Sequence, residues 1–224
     1  MSRIVVKVGG AVADSSSKAI LELAGAGAGH EVCVVHGAGP QISAEMERFG
    51  LEVEFVDGLR VTTPAVLSLV GVSLARVNQE LCAALGPRAV GLAGNEVGLH
   101  AVQVPALGLV GAPLACRPPA IEAALQAGKI PVVSPLGVGP LNVNADEAAS
   151  ALAVGLAADE LLFLADVPGI LLDDGVVGTI GVAEAERLLG AGRFEGGIVP
   201  KLHAAVRAAK LGVRSRIGAT AVVA

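Results

Sequence analysis

The sequence predicts an α/β fold, a three-layer sandwich around a mainly parallel open sheet. Short runs rich in valine, leucine and isoleucine recur along the chain, and most are followed by an alanine- and leucine-rich stretch with helical periodicity. These runs are almost continuously apolar, which is typical of strands covered on both faces. The chain has 224 residues, 53% of them apolar, so it is long enough for one large domain or two small lobes with a sizeable core.

The predicted strands alternate with helices along most of the chain. They are residues 4–8, 32–36, 89–93, 130–134, 161–165 and 213–217. Two segments break the alternation: residues 99–116 predict a strand, a glycine turn and a strand, and residues 171–179 predict a hairpin turning at 173–175. We expect both to be appendages of the main sheet. A glycine-alanine patch at residues 25–29 predicts a frayed helix end, and no long linker separates independent domains.

Charge and hydropathy exclude several classes of function. The formal net charge is −5, without acidic or basic blocks, so we expect neither nucleic acid nor an anionic membrane as a partner. Mean hydropathy is +0.69, but no apolar run reaches the roughly 18 to 20 residues that a membrane-spanning helix needs. The first residues enter a predicted strand and do not resemble a secretory signal, so we expect a cytoplasmic protein.

The cysteines predict neither a disulfide framework nor a metal site. Cys33, Cys82 and Cys116 are widely spaced, odd in number and set among apolar residues. This pattern favours reduced thiols in the core.

The first candidate ligand site follows the first predicted strand. In Lys7-Val8-Gly9-Gly10 a lysine near the end of the strand precedes two glycines. Paired glycines let backbone N–H groups approach an anion closely, and the lysine adds positive charge. The segment does not match the P-loop, in which a longer glycine-containing loop ends in Gly-Lys-Ser/Thr. A simple turn is the alternative interpretation.

A second glycine-containing loop follows the second predicted strand, at residues 36–40. Here Gly37, Ala38 and Gly39 precede a helix whose first turn would direct free N–H groups outward. Two such loops at the carboxyl ends of neighbouring parallel strands form the crevice where open α/β sheets bind ligands. His36 is either catalytic or a hydrogen-bonded structural residue that closes a buried strand, and we favour the structural interpretation.

Two further clusters carry polar residues at predicted helix starts. In residues 142–147, Asn144 is expected to cap a helix whose first turn holds Asp146, and capping alone does not require the other polar side chains. In residues 196–201, a glycine pair and a proline open a helix with Lys201 in its first turn. A lysine there is electrostatically unfavourable unless an anion lies nearby. Such a local conflict is typical of a functional site.

Taken together and in order, these segments resemble the amino acid kinase family, and within it the acetylglutamate kinases. The resemblance covers nearly the whole chain, and residues 58–62 (GLRVT) and 142–146 (NVNAD) resemble the acetylglutamate branch in particular. It implies ATP-dependent phosphorylation of the side-chain carboxylate of N-acetyl-L-glutamate, in arginine biosynthesis, with Mg²⁺ held by the ATP phosphates and by no protein ligand. It also implies an acylamino acid-binding lobe with a dimer interface at residues 1–158 and a nucleotide-binding lobe at 159–224, on one continuous sheet.

The resemblance also assigns roles to individual residues. It makes Lys7, Asp146 and Lys201 catalytic: the two lysines contact the transferring phosphoryl group and the aspartate holds their ammonium groups in position. The remaining assignments are substrate contacts at Ala38, Gly39, Arg60 and Asn142, and ATP or phosphate contacts at Gly9, Gly10, Ala165 and Asp166. A planar guanidinium that donates two hydrogen bonds suits a substrate carboxylate, whereas a solvated loop charge is the alternative for Arg60.

The chain departs from the family pattern in three ways. Ala38 stands where many relatives have glycine, so we expect a differently shaped loop. The segment after residue 213 is shorter than in typical relatives, which places the adenine contacts in doubt. The N-terminal helix of arginine-regulated relatives is missing ahead of the first strand, so we expect a homodimer that arginine does not inhibit. A sibling carboxylate kinase, such as a carrier-linked aminoadipate kinase, and a catalytically silent nucleotide-binding protein remain the alternatives.

Overall fold

A computed structural model describes residues 2–10, 14–25, 29–164, 167–173 and 175–224. In chain order the strands are β1 (Arg3–Val8), β2 (Glu31–His36), β3 (Phe55–Val56), β4 (Leu59–Arg60), β5 (Ala89–Ala93), β6 (Ala101–Gln103), β7 (Val110–Pro113), β8 (Ile130–Ser134), β9 (Leu136–Gly137), β10 (Leu141–Val143), β11 (Glu160–Leu164), β12 (Leu171–Leu172), β13 (Gly175–Val176), β14 (Thr179–Gly181), β15 (Arg214–Ile217) and β16 (Thr220–Val223). The α-helices are α1 (Asp14–Leu23), α2 (Gly39–Arg48), α3 (Pro64–Leu85), α4 (Gly94–Val97), α5 (Pro119–Gln126), α6 (Ala145–Gly155), α7 (Val182–Gly190) and α8 (Ile198–Lys210).

The main sheet has eight strands in the order β14-β16-β15-β11-β1-β2-β8-β5. All neighbouring pairs are parallel except β15 with β16. Strand β1 lies inside the sheet, where Val5 is in register with Cys33 on one side and Leu161 on the other. The predicted mainly parallel sheet is confirmed, and all six predicted strands belong to it, although Ala165 at the end of one prediction lies outside the described residues.

Helices cover both faces of this sheet. On one face, α6 and α8 pack over a core that includes Val5, Leu152, Phe163 and Ala205. On the other, α1 and α3 pack over a second core that includes Val6. Because β1 buries successive residues on opposite faces, both sides of the sheet exclude water. The three-layer arrangement predicted from the sequence is therefore confirmed.

The two predicted appendages are present. Strands β6 and β7 pair antiparallel as expected, but they belong to a separate four-stranded sheet with β10 and β9 that the sequence did not predict. Strands β12 and β13 form the predicted hairpin, and Asp174 in its turn lies outside the described residues. Helix α1 ends at Leu23, and residues 26–28 of the glycine-alanine patch also lie outside them.

Strands β1 and β2 run parallel, so the loops that follow them emerge at the same edge of the sheet. Helix α6 begins next to this edge, since a Cβ on Gly37 of the second loop would lie 3.7 Å from the Cβ of Ala145. The fold thus gathers the predicted polar segments at the carboxyl ends of the central strands. Among the helices in the described ranges, none combines the length and the apolar character needed to cross a bilayer.

Candidate active site

The two glycine-containing loops touch each other. A Cβ on Gly10 would lie 2.9 Å from the Cα of Ala38 and 2.7 Å from Oε1 of Gln41. Gln41 Nε2 also donates a hydrogen bond to the Gly10 carbonyl, at 2.5 Å. Only glycine leaves room for this approach. The loop after β1 therefore packs directly against the start of α2 and is hydrogen-bonded to it.

The second loop opens α2 without a side-chain cap. Ala38 is the N-cap residue with φ −147° and ψ 27°, and Pro40 occupies the first turn. The φ angle is negative, so this position does not require glycine. The first N–H groups of a helix have no intrahelical partner, and Ala38 and Gly39 both line the cleft described below.

Asp146 is fixed by the start of α6. The Asn144 side chain accepts hydrogen bonds from the backbone N–H groups of Asp146, at 2.8 Å, and Glu147, at 3.2 Å. This is the predicted cap, and it is confirmed. The cap holds Asp146 in the first turn, and only 5% of that residue remains exposed.

Two lysines contact this carboxylate from different elements. Lys7 Nζ, on β1, lies 2.9 Å from Asp146 Oδ1, and Lys201 Nζ, in the first turn of α8, lies 3.6 Å from Oδ2. Oδ1 accepts no well-directed hydrogen bond within the described part of the chain, so its contact with Lys7 is an ion pair without hydrogen-bond geometry. Lys201 also donates to the Gly197 carbonyl at 3.2 Å.

The lysines outnumber the carboxylate in this cluster, which we call the lysine-aspartate triad: Lys7, Asp146 and Lys201. Burial, and secondarily the charge of Lys7, lowers the pKa of Lys201, whereas Asp146 acts in the opposite direction. Two ammonium groups facing one carboxylate leave an excess of positive charge at a partly buried point. Such a cluster suits an anion that carries several negative oxygens.

Arg60 is a buried cation that faces the same cleft. Its residue is 6% exposed, and its Nη2 donates to Ser43 Oγ at 2.9 Å and to the Gly39 carbonyl at 3.2 Å. The guanidinium carbon lies 4.6 Å from the centre of the Phe55 ring. Among the described residues, no carboxylate lies within ion-pair distance of it, and burial lowers its pKa. A buried charge without an anion partner is costly, so the position suits an anionic ligand.

Asn142 is held beside Arg60 by a short chain of hydrogen bonds. Its Nδ2 donates to Thr62 Oγ1 at 2.9 Å, and that hydroxyl donates to the Arg60 carbonyl at 2.7 Å. Because Asn142 is on β10 and Thr62 follows β4, these bonds join the small second sheet to the β3–β4 hairpin. The amide oxygen of Asn142 remains available as an acceptor.

The predicted residues meet in one cleft of about 260 Å³. Those that line it are Lys7, Gly10, Ala38, Gly39, Arg60, Asn142 and Asp146. Lys201 joins the cluster through Asp146, whereas Gly9 is exposed and does not line the cleft. Ala165 and Asp166 lie outside the described residues.

The sequence analysis missed several residues that build this cleft. Gln41, Ser43 and Phe55 hold the loop and the guanidinium in place. The β3–β4 hairpin itself had a recognisable signal, because Asp57 and Gly58 form its tip with φ of 50° and 77°. An Asp-Gly pair with two positive φ angles is typical of a two-residue hairpin turn.

His36 does not line the cleft. Its side chain is fully buried at the end of β2, with ring contacts to the Gly37 carbonyl and to Asn78. Burial is the main cause that lowers its pKa to about 4. The interpretation of His36 as a hydrogen-bonded structural residue agrees with this environment. All three cysteines are free thiols, and burial raises the pKa of each.

Comparison with curated proteins finds acetylglutamate kinases among the relatives of this chain. The chain is similar to the acetylglutamate kinase of Rubrobacter xylanophilus, with 43% identity over 226 residues, which cover 97% of this chain and 88% of that protein. It is also similar to the acetylglutamate kinase of Geobacillus stearothermophilus, with 39% identity over 92% of this chain and 84% of the relative.

Solved structures share the fold. The crystal structure of smu.665 from Streptococcus mutans UA159 matches with a TM-score of 0.85 and 28% identity, and 99% of this chain covers 98% of that one. Carbamate kinase from Giardia lamblia bound to AMP-PNP matches with a TM-score of 0.74 over 99% of this chain and 98% of its own, at 16% identity, which supports the fold alone. A sequence profile of the Amino acid kinase family matches residues 2–219. The chain therefore belongs to the amino acid kinase family.

Proposed function

We propose that this protein is an acetylglutamate kinase, which transfers the γ-phosphoryl group of ATP to the side-chain carboxylate of N-acetyl-L-glutamate in arginine biosynthesis. The observation that carries the proposal is the cleft that brings Lys7 and Asp146 of the lysine-aspartate triad together with the buried Arg60 and the amide of Asn142. Lys201 reaches Asp146 from α8. The similarity to acetylglutamate kinases over nearly the whole chain supports the same activity.

The chemistry explains why such a site needs no general base. A side-chain carboxylate with a pKa near ~4.3 is already ionised at neutral pH. The difficulty is electrostatic, because two anions must meet in line while charge develops on the phosphoryl oxygens. In our proposal Lys7 and Lys201 stabilise that charge, and Asp146 keeps both ammonium groups directed at the same point.

The acceptor would lie on the side of the cleft formed by α2 and the β3–β4 hairpin. We propose that Arg60 binds the α-carboxylate of the acetylamino acid, which is not the one phosphorylated. Its guanidinium is buried and lacks a carboxylate partner in the described part of the protein. Asn142 would accept from the acetamido N–H through its amide oxygen. The N–H groups of Ala38 and Gly39 would donate to the acceptor from the start of α2.

The nucleotide would approach from the opposite side. We assign its phosphates to the N–H groups of Gly9 and Gly10 and to the two lysines, and its remaining part to the loop that holds Ala165 and Asp166. Mg²⁺, which neutralises phosphate charge when bound, would be held by the ATP phosphates. The triad fits this arrangement, because Asp146 is already engaged by two ammonium groups and is a poor metal ligand.

The proposed lobes follow from these assignments. Residues 1–158 would supply the acylamino acid site and the dimer interface, and residues 159–224 the nucleotide site. The eight-stranded sheet runs through both. The homodimer and the cytoplasmic location remain predictions.

One assay tests the proposed function. Purified protein with Mg·ATP is supplied separately with N-acetylglutamate, glutamate, aspartate, carbamate and an aminoadipate conjugate, and hydroxylamine traps any acyl phosphate. We expect hydroxamate with N-acetylglutamate. Product with another acceptor only would assign a sibling kinase, and no product with any acceptor would favour a silent nucleotide-binding protein.

A further inference from the structure

The hydrogen bonds around His36 determine where its ring proton lies. Asn78 Nδ2, on α3, lies 3.1 Å from His36 Nε2 and 2.9 Å from the Val132 carbonyl oxygen. Because a carbonyl oxygen only accepts, the Asn78 atom beside it is the NH₂ nitrogen, which offers two donors and no acceptor. His36 Nε2 therefore accepts, and the neutral ring carries its proton on Nδ1.

The proton on Nδ1 faces the second glycine-containing loop. His36 Nδ1 lies 3.2 Å from the Gly37 carbonyl oxygen, to which it donates, and the Gly37 N–H donates to the Val8 carbonyl at 3.2 Å. The peptide groups on both sides of Gly37 are thus tied, one to β1 and one to the imidazole. The Ala38 N–H belongs to the same peptide group as the Gly37 carbonyl, so these bonds set its direction. The Gly39 N–H lies in the next peptide group and starts from the position that they fix.

We infer that Asn78 is a positioning residue for phosphoryl transfer, because it fixes His36 as the Nδ1–H tautomer that orients the Ala38 and Gly39 amides. Asn78 does not line the cleft and acts through the imidazole. The role in phosphoryl transfer rests on the proposed function, whereas the tautomer does not. The low pKa of His36 keeps the ring neutral at ordinary assay pH.

The amide oxygen of Asn78 contacts α3 and β5 and not the imidazole. Cys82 Sγ donates to Asn78 Oδ1 at 3.7 Å, a weak hydrogen bond one turn along α3. Strand β5 passes closely here, and a Cβ on Gly91 would overlap Asn78 Oδ1. A methyl group at Gly91 therefore displaces the Asn78 amide without changing any polar group near the cleft.

The test uses two perturbing variants and two matched controls. Asn78→Asp replaces the donor with an isosteric acceptor, and Gly91→Ala displaces the intact amide should the first variant fail to fold. Cys82→Ala removes the weak donor only, and Gln79→Ala removes an exposed amide from the next position of α3. Ring ¹⁵N chemical shifts report the tautomer of His36, assigned by comparison with a His36→Asn variant.

In the wild-type protein we expect a neutral His36 ring with its proton on Nδ1. In Asn78→Asp the proton moves to Nε2 to face the new carboxylate, and the backbone amide resonances of Ala38 and Gly39 shift. The expected fall in kcat is on the order of 10-fold to 10²-fold, because misoriented amides no longer hold the acceptor in line for transfer. KM for N-acetylglutamate should rise, whereas KM for ATP should stay near the wild-type value. Gly91→Ala changes the same resonances and lowers kcat, and both controls keep the wild-type spectra and rate.

Two results would overturn the inference. One is a wild-type His36 ring with its proton on Nε2. The other is an Asn78→Asp protein in which the tautomer changes while the amide resonances of Ala38 and Gly39 and the rate do not. A wild-type protein without kinase activity toward any acceptor would defeat the proposed function alone, since the ring and amide resonances still decide whether Asn78 orients this loop.

Discussion

Lys201 and Asp146 come from helices of different lobes in the proposed division, yet their charged groups approach to 3.6 Å, at the carboxylate oxygen that Lys7 does not contact. The aspartate thus links the first turn of α8 to the central strand β1. Because like charges repel, Lys7 and Lys201 share this small space only while the carboxylate lies between them. The relationship makes the positions of the two lysines interdependent.

Replacement of Lys201 by alanine is expected to lower kcat by on the order of 10² or more, because its ammonium group acts on charge that develops in the transition state. Steady-state hydroxamate formation measures the effect. Lys210→Ala is the matched control, since Lys210 is on the same helix but pairs with Glu186 at the surface. Equal rates in the Lys201→Ala variant and the wild-type protein would remove this lysine from the catalytic group.

Replacement of Arg60 by methionine is expected to raise KM for the acetylamino acid at least ~10-fold, equivalent to ~1.4 kcal/mol of binding, with a smaller loss in kcat. Thermal stability should stay the same or rise, because the change removes a buried charge without a carboxylate partner in the described structure. Arg48→Met, which removes an exposed arginine on α2, serves as the control. A large loss of stability with unchanged KM would make Arg60 a structural residue.

Comparison of two cap deletions distinguishes an effect on the free energy of unfolding from an effect on kcat. Asn144→Ala and Thr63→Ala each delete a side-chain cap, the first on α6 and the second on α3. Both should lower the free energy of unfolding by ~1 kcal/mol. Only Asn144→Ala should also lower kcat, because that cap positions Asp146. Denaturant unfolding and kinetics on the same samples compare the two, and similar kcat values in both variants would contradict the prediction.

The pH dependence of kcat/KM for ATP should reveal Lys201. Burial lowers its pKa, so the ammonium group loses its proton at a lower pH than an ordinary lysine. As pH rises through that lowered pKa, the positive charge disappears and kcat/KM, which reports the free enzyme, should fall. Lys201→Arg keeps its charge, so this alkaline decline should move to higher pH. A decline that is identical in both proteins would have to be assigned to another group.

Much of the fold was predictable because the central strands are buried on both faces. Residues 130–134, all five of them buried, form β8 with the bounds predicted from their apolar composition. Residues 89–93 also form a strand with the predicted bounds, although β5 is a half-exposed edge strand. Strand β16, which lies between β14 and β15, and the small strands β9 and β10 were missed, because each has only two to four residues and depends on a distant partner. Short strands carry too little periodicity for a prediction from sequence alone.

Site residues were predictable where the type of residue and its place in a helix together indicate a single role. Asn144 was expected to cap a helix and does so, and Lys201 was singled out because a lysine in the first turn of a helix needs an anion nearby, which Asp146 supplies. The burial of Arg60 was not predictable. It follows from Ser43 and Phe55, which reach the guanidinium from separate elements. Nothing in the local sequence predicts that Ser43 and Phe55 contact Arg60.

The close approach of Gly10 and Ala38 determines how far apart the two reacting groups lie. In our proposal one loop holds the phosphates and the other holds the acceptor, so the gap between the two reacting groups is a main-chain dimension. Side chains around the cleft can diverge during evolution to suit acceptors of other shapes without altering that gap. A methyl group at Gly10 would push the two loops apart and lengthen this gap, so the reaction depends on the absence of a side chain at this position.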